Sequence, residues 1–476
     1  MPKRAGKMHF KQGTFHLVLG WGFVLVLGYV YHFILTRQLS VPDYAIYLLV
    51  MSILQWFEIF LVNGLPYAVQ RYAAARPDQS GAILRFALKV QTVIALCLFG
   101  ITFLCAPRIS RLFGDHLLTT FIRLAVIDIL FIGFFHLLVA FENSRQAFHR
   151  QALLLVCYGA AKLLVGVLLV MQTRSVVGAL WANPLSAVIG AAIGFIMLRS
   201  QPGMRFDRRI SMIRFTLPSI LYFLVLQLLL NMDLWFVKYF LGLDGVGYYG
   251  VASLLAKIPF YLFIGVSAAL LPVLSSGISS GNHQDVLVTI SQAFRFLWLF
   301  LAPVAVLISL GSRDLITVLF KPEFSPGAPV LSILVWGVTL LSFINLFTTI
   351  LNADHRPALS FILIFFTVVL AVILNLTLIP RFQAIGAAVA MVVSLGFGAL
   401  ASFCLVFRKF RIQLPIRSFF RISISALVLW PVSRLIPVQG FAGIGALGMG
   451  LVVYTAFLWI TGEINKDEIY GLIFKS

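Results

Sequence analysis

The sequence predicts an all-α polytopic membrane protein of about fourteen spans. Three observations carry this: 61% of the 476 residues are hydrophobic, only 11% are charged, and mean hydropathy is +1.01. Such a chain has too little polar surface to cover a water-soluble globule, so lipid must solvate it. Because an unpaired backbone amide costs several kcal/mol in hydrocarbon, spanning elements are helices or a closed barrel, and apolar runs of about 20 residues select helices.

Apolar runs broken by charge, Pro or Gly place the spans at roughly 17–36, 44–65, 83–104, 119–140, 152–171, 178–198, 215–241, 248–271, 294–310, 328–351, 358–379, 384–407, 422–436 and 441–460. The basic start MPKRAGKMHFK leads into a full-length apolar run with no small-residue cleavage site, and reads as a retained first span. The thirteenth is the shortest, interrupted by Pro431 and Arg434. The resulting organisation is an N-terminal segment 1–16, a six-span lobe 17–198, a basic linker 199–214, a second six-span lobe 215–407, a basic loop 408–421, two added spans within 422–461 and a tail 462–476.

Orientation follows from Lys and Arg in the connections. The N-terminus, the even-numbered connections (among them Arg71, Arg76, Arg199, Arg205, Arg208, Arg209, Arg408, Lys409 and Arg411) and the C-terminus carry 21 of the 36, against seven in the odd-numbered connections. Both termini are therefore expected in the cytoplasm, with the chain in a cytoplasmic (inner) membrane. The same distribution explains the formal charge of +20 without nucleic acid, since the basic residues form no solvated stripe or arm.

An ungapped internal repeat relates the second span to the eighth at an offset of 201 residues: Asp43/Asp244, Tyr47/Tyr248, Ser52/Ser253, Leu54/Leu255, Leu61/Leu262 and Gly64/Gly265. An even number of spans separates the copies, so they insert the same way up, as two parallel lobes. No connection is long enough for a soluble domain. Cys97, Cys105, Cys157 and Cys404 lie in or beside apolar runs without ligand spacing, so neither a disulfide framework nor a zinc site is expected.

Ionisable residues inside hydrocarbon cost about 2.5–3.5 kcal/mol each on insertion scales, which marks those retained as candidates. Lys89, Lys162 and Lys257 lie well inside spans; Arg85, Arg123, Lys238, Arg295 and Arg434 lie nearer span ends, where snorkelling to the interface is the simpler account. A cationic lumen formed by Lys162, Lys257, Lys89, Arg85, Arg123 and Arg295 would bind an anionic headgroup such as a lipid-linked phosphate. Glu58, Asp128 and Asp233, with Asn231 beside the last, would either hold a coupling Na+ or H+ or balance neighbouring lysines. No other cofactor is expected. Pro184, Pro218, Pro259 and Pro303 would kink or break their helices.

The chain resembles the polysaccharide-synthesis transporters, the Wzx-like lipid-linked oligosaccharide flippases of the superfamily that also contains multidrug and toxin extruders and lipid II flippases. The segments that carry the resemblance are TRQLSVPDYAIYLLVMSILQWFEIFLVNGLPYAVQRYAA, WFVKYFLGLDGVGYYGVASL, ALLPVLSS, LNADHRPALSF and NLTLIPRFQAIGAAVA. It implies two six-helix lobes around a cationic lumen, and outward movement of an undecaprenyl-pyrophosphate-linked glycan by alternating access. It also implies membrane lipids and polysaccharide polymerase or assembly proteins as partners of a monomer, and supplies no invariant catalytic residue. The lipid II flippases carry arginines in their first helices, whereas here the first span has only His32 before Arg37.

Two other functions compete. A multidrug or toxin extruder on the same scaffold would need a lumen that attracts cations. A membrane glycan polymerase or ligase would need acids, histidines or a metal on a substantial loop, and the sequence has no HExxH, paired-acid loop motif or P-loop; His355 and the Arg313/Asp314 pair are the nearest candidates, and both read as solvated loop residues.

Overall fold

The computed structural model describes residues 2–198, 209–354, 356–411, 415–431 and 440–463. Arg199, Arg205, Arg208, His355, Arg434 and the end of the thirteenth expected span lie outside the described residues. The described chain is helical throughout and divides into two compact units, Met1–Tyr239 and Phe240–Ser476.

The first unit opens with α1 (Pro2–Gln38). Ser40 then caps α2 (Val41–Ile59), its hydroxyl accepting from the Asp43 amide at 3.2 Å, with Pro42 in the first turn where no amide is needed. The same span continues through a π-helical turn, Phe60–Gly64, into α3 (Leu65–Ala75). After it come α4 (Ser80–Leu112), α5 (Leu118–Ala125), a 3-10 turn (Val126–Asp128), α6 (Ile129–Ser144), α7 (Phe148–Thr173) and α8 (Val176–Met197). The long helix α9 (Arg209–Ala256) starts in this unit and ends in the second.

The second unit continues with α10 (Ile258–Ser279), α11 (His283–Leu310), α12 (Ser312–Leu319), α13 (Ala328–Ala353), α14 (Pro357–Phe410), α15 (Ile416–Leu427) and α16 (Phe441–Ile460). At 1.5 Å per residue, α14 would be about 80 Å long, far more than a bilayer of about 30 Å. Gln383, at φ 54 and ψ −138, breaks it into two, and the halves fold back so that Gly398 lies against Thr367. Gly242, at φ 74, interrupts the regular backbone of α9. The expected boundaries near 379–384 and 241–248 fall at these two breaks.

Among the described residues nine helical segments are long and apolar enough to cross a membrane, and Gly445–Ile460 is a shorter apolar helix. The chain is a multi-pass membrane protein. Helix contact in lipid rests on close packing, which small residues permit. On α8, Gly190 meets the Phe135 ring and Gly194 meets Leu138 of α6, while on α7 Gly166 receives Tyr31 and Gly159 receives Leu27 of α1.

A side chain at Gly190 would put its Cβ 2.7 Å from Phe135, whereas one at Gly22 would meet nothing within 4 Å. Gly190→Val should therefore destabilise the purified protein by about 1–3 kcal/mol, read as a lower thermal midpoint, while Gly22→Val leaves it nearly unchanged.

Candidate functional site

Two carboxyls meet inside the first unit, each held where a helix loses its regular form. Glu58 (8% exposed) lies in the last turn of α2, just before the π-helical turn, and Asp128 (2% exposed) ends the 3-10 turn that leads into α6. A π turn leaves backbone carbonyls poorly matched, and the buried Gln91 of α4 donates its Nε2 to the Leu61 carbonyl at 2.9 Å. Gly133 makes room for that amide, since a Cβ there would lie 2.3 Å from it.

The two carboxyls interact electrostatically with each other. Glu58 Oε1 and Asp128 Oδ1 are buried and receive no hydrogen bond from a protein donor. Two carboxylates placed together in a dry interior repel one another unless a proton or a cation balances them. Lys162 of α7 interacts electrostatically with both acids, and its ammonium lies 5.9 Å from the centre of the Tyr31 ring. On the same helix, Gly159 and Gly166 let α1 pack closely on either side of it. Three ionisable groups on three different spans thus share one interior site.

Neutral polar groups surround them. Tyr47 is 2% exposed, Asn183 donates its Nδ2 to the Met51 sulfur at 3.3 Å, and Ser186 donates to the Asn183 carbonyl at 2.8 Å. The Tyr158 ring stacks on Phe135 at 4.4 Å between centres, His32 Nδ1 lies 2.9 Å from the Tyr44 hydroxyl, and Tyr31 donates to the Ala179 carbonyl at 3.2 Å. The cluster is rich in orientable dipoles, a setting in which a buried charge can be moved or neutralised. Among the described residues no group of three or more His, Cys, Asp or Glu is placed to hold a metal ion.

Of the residues selected from the sequence, the structure brings together Glu58, Asp128 and Lys162. Asp233 is buried at 1% exposure on α9, with Asn231 donating to the Gln227 carbonyl at 3.3 Å. Arg85 and Lys89 are exposed one turn apart on α4, and Arg123 is exposed with its guanidinium 4.7 Å over the Phe103 ring. In the second unit Lys257 is the half-buried cap between the second half of α9 and α10, and Arg295 pairs with Glu463 at 2.6 Å. Lys238 pairs with Asp115 at 3.0 Å. Sequence reasoning missed the tyrosines, Asn183 and Ser186, because residues of these kinds are common in apolar helices and nothing in their spacing sets these ones apart.

The family model described as polysaccharide biosynthesis protein matches residues 34–329, more than half of the chain. Similar relatives include an uncharacterized membrane protein of Methanocaldococcus jannaschii, 31% identical over 33% of this chain and 31% of its own length. A second membrane protein of that organism is 23% identical over 77% of this chain and 91% of its own. The probable low-salt glycan biosynthesis flippase Agl15 of Haloferax volcanii is 28% identical over 51% of this chain and 52% of its own. The chain thus matches about a third to a half of the length of two of these relatives. Among solved structures, a lipid II flippase MurJ in an inward closed conformation superposes with a TM-score of 0.77 at 17% identity, covering 93% of this chain and 98% of that one. An inward-facing multidrug resistance MATE family transporter gives 0.70 at 16%, covering 83% and 99%. The fold is therefore the one these transporters share.

Lys162→Met removes the only cation of the triad and leaves two acids facing one another. Its thermal midpoint in detergent should fall, with a cost of up to about 3–5 kcal/mol, and adding Glu58→Gln should restore part of the loss. Full stability of Lys162→Met would show that the amine does not balance the acids.

Proposed function

The chain belongs to the polysaccharide biosynthesis protein family, and on that premise we propose that it is a transporter that carries a lipid-linked glycan across the cytoplasmic membrane, driven by proton exchange at Glu58 and Asp128. The observation that carries this reading is the meeting of Glu58, Asp128 and Lys162 in the interior of a chain of this family. The probable glycan flippase of Haloferax volcanii, matched over half of its length, supports the substrate class.

Unaided passage of a hydrated glycan through hydrocarbon would strip its hydroxyls of water at a cost of several kcal/mol apiece. A protein path replaces that water with fixed donors and acceptors while the lipid tail stays in the bilayer. Alternating access then needs an input that favours one state over the other. With one proton shared between the two acids and Lys162 charged, the triad carries no net charge and suits a dry interior. Losing the proton leaves a net negative charge, and gaining a second leaves a net positive one; either charge favours a state in which water reaches the cluster. The lysine already occupies the place of a positive counter-ion, which favours H+ over Na+ as the coupling ion. The exposed cations Arg85 and Lys89 remain groups proposed to attract the anionic linkage of the substrate. With the cell interior negative, expelling an anion gains about 2.3 kcal/mol per charge per 100 mV.

The test is complementation in a cell lacking the gene, reading the lipid-linked glycan that accumulates on the cytoplasmic leaflet. Glu58→Gln and Asp128→Asn should each cut export at least tenfold at normal protein level, whereas Arg85→Ala/Lys89→Ala should weaken it through substrate affinity. Normal export by both acid variants would reject the coupling, and efflux of cationic dyes with no glycan accumulation on deletion would reject the substrate.

A further inference from the structure

Away from the acid pair, the first unit holds a cavity of about 550 Å3 between α3 and the connection from α6 to α7. It lies where α3 and α6 end and α7 begins, at the edge of the membrane-crossing segments. Its volume is within the range of about 300–1,000 Å3 of small-ligand sites.

Three of the lining residues, Gln70, Asn143 and Gln146, carry side-chain amides. Gln70 donates its Nε2 to Asn143 Oδ1 at 2.8 Å, and Asn143 donates in turn to Gln151 Oε1 at 2.8 Å. Gln151 is 3% exposed, so the relay is anchored in the core and sets the orientation of the amides that face the cavity. Gln146 adds another from the rim. The turn that carries it has the hydrogen bonds of a Schellman cap, Ala147 N to the Glu142 carbonyl at 3.1 Å and Gln146 N to the Asn143 carbonyl at 2.9 Å, and Gln146 stands at φ 57. Glycine is the residue that suits that position. A glutamine there is strained by about 1 kcal/mol or more, and what it supplies that glycine does not is an amide at the cavity mouth. Opposite it, α3 presents the half-exposed Tyr67 ring and the Arg71 guanidinium one turn on.

We propose that this cavity is a sugar-binding site, taking a pyranose whose hydroxyls pair with Gln70, Asn143 and Gln146, whose ring stacks on Tyr67, and whose phosphate or carboxylate substituent meets Arg71. Amides donate and accept side by side, which matches vicinal hydroxyls; a phosphate site would present several cations or backbone amides, and this one has a single arginine among amides. An aromatic face beside the amides fits the C–H face of a sugar ring. The connections that border it carry Arg76, Arg145 and Arg150, on the side that the charge rule assigns to the cytoplasm, where a glycan awaiting export is assembled. The identity of the ligand as the transported glycan rests on the export reading above; the sugar chemistry of the site does not.

The experiment measures equilibrium binding to the full chain in nanodiscs, without transport. Its probes are the lipid-linked glycan extracted from cells that make it, the same glycan released by mild acid, and geranylgeranyl pyrophosphate with no sugar. Wild type should bind the glycan-bearing probes, Tyr67→Ala and Gln70→Ala should weaken that binding tenfold or more, Tyr67→Phe should keep it, and geranylgeranyl pyrophosphate should bind all four proteins alike. Equal affinity of released and lipid-linked glycan supports a sugar site reached from water; preference for the lipid-linked form supports one that also senses the linkage. Equal glycan binding by wild type and both alanine variants, or no advantage of glycan over geranylgeranyl pyrophosphate, would overturn the proposal. Because Tyr67 is on the rim, its alanine variant tests the site even where Gln70→Ala disturbs the relay. Binding with normal export by the acid variants would refute the coupling while leaving the site standing.

Discussion

Hydrocarbon tolerates net charge poorly, and the placement of nearly every ionisable group in this protein follows from that. At the margins acids and bases pair directly: Lys238 with Asp115, Glu463 with Arg295 and Arg421, and Asp354 with Arg356 and Lys409. Such pairs need no exchange with water once formed. The cluster of Glu58, Asp128 and Lys162 differs because two acids face one base, so its charge depends on how many protons it holds.

The helices are shaped around that cluster. Glu58 precedes a π turn whose stray carbonyl is satisfied by Gln91, and Gln91 fits only because residue 133 is glycine. Asp128 ends a 3-10 turn. Lys162 lies between two glycines of α7 at which α1 packs closely. Irregular backbone of this kind costs stability in a membrane helix, and here it adjoins the residues whose charge can change. The cavity at the end of the same unit is of a different kind: it lies at the membrane edge, is lined by neutral amides with one arginine, and suits recognition rather than coupling.

Much of this was legible in the sequence. Apolar runs marked the helices, and the two places where a long helix is interrupted, near Gly242 and Gln383, were visible as breaks between runs. Rarity of charge singled out Glu58, Asp128 and Lys162 individually. Their meeting was not legible, because contact between α2, the turn before α6 and α7 is set by packing of small residues between helices far apart in sequence. For the same reason Arg295 and Lys89 looked alike as cations in spans, yet one is tied to Glu463 and the other is exposed. Gln146 left no signal at all, since only the backbone reveals that its position asks for glycine.

The central claim is that the triad exchanges protons as the glycan crosses. Purified protein in liposomes, loaded with lipid-linked glycan and clamped at zero potential, can be given a proton gradient or a sodium gradient in turn, with flipped glycan read by an impermeant probe. The account requires a rate that follows the proton gradient, ignores sodium, and loses its response in Glu58→Gln. A rate indifferent to the proton gradient in the native protein would contradict it.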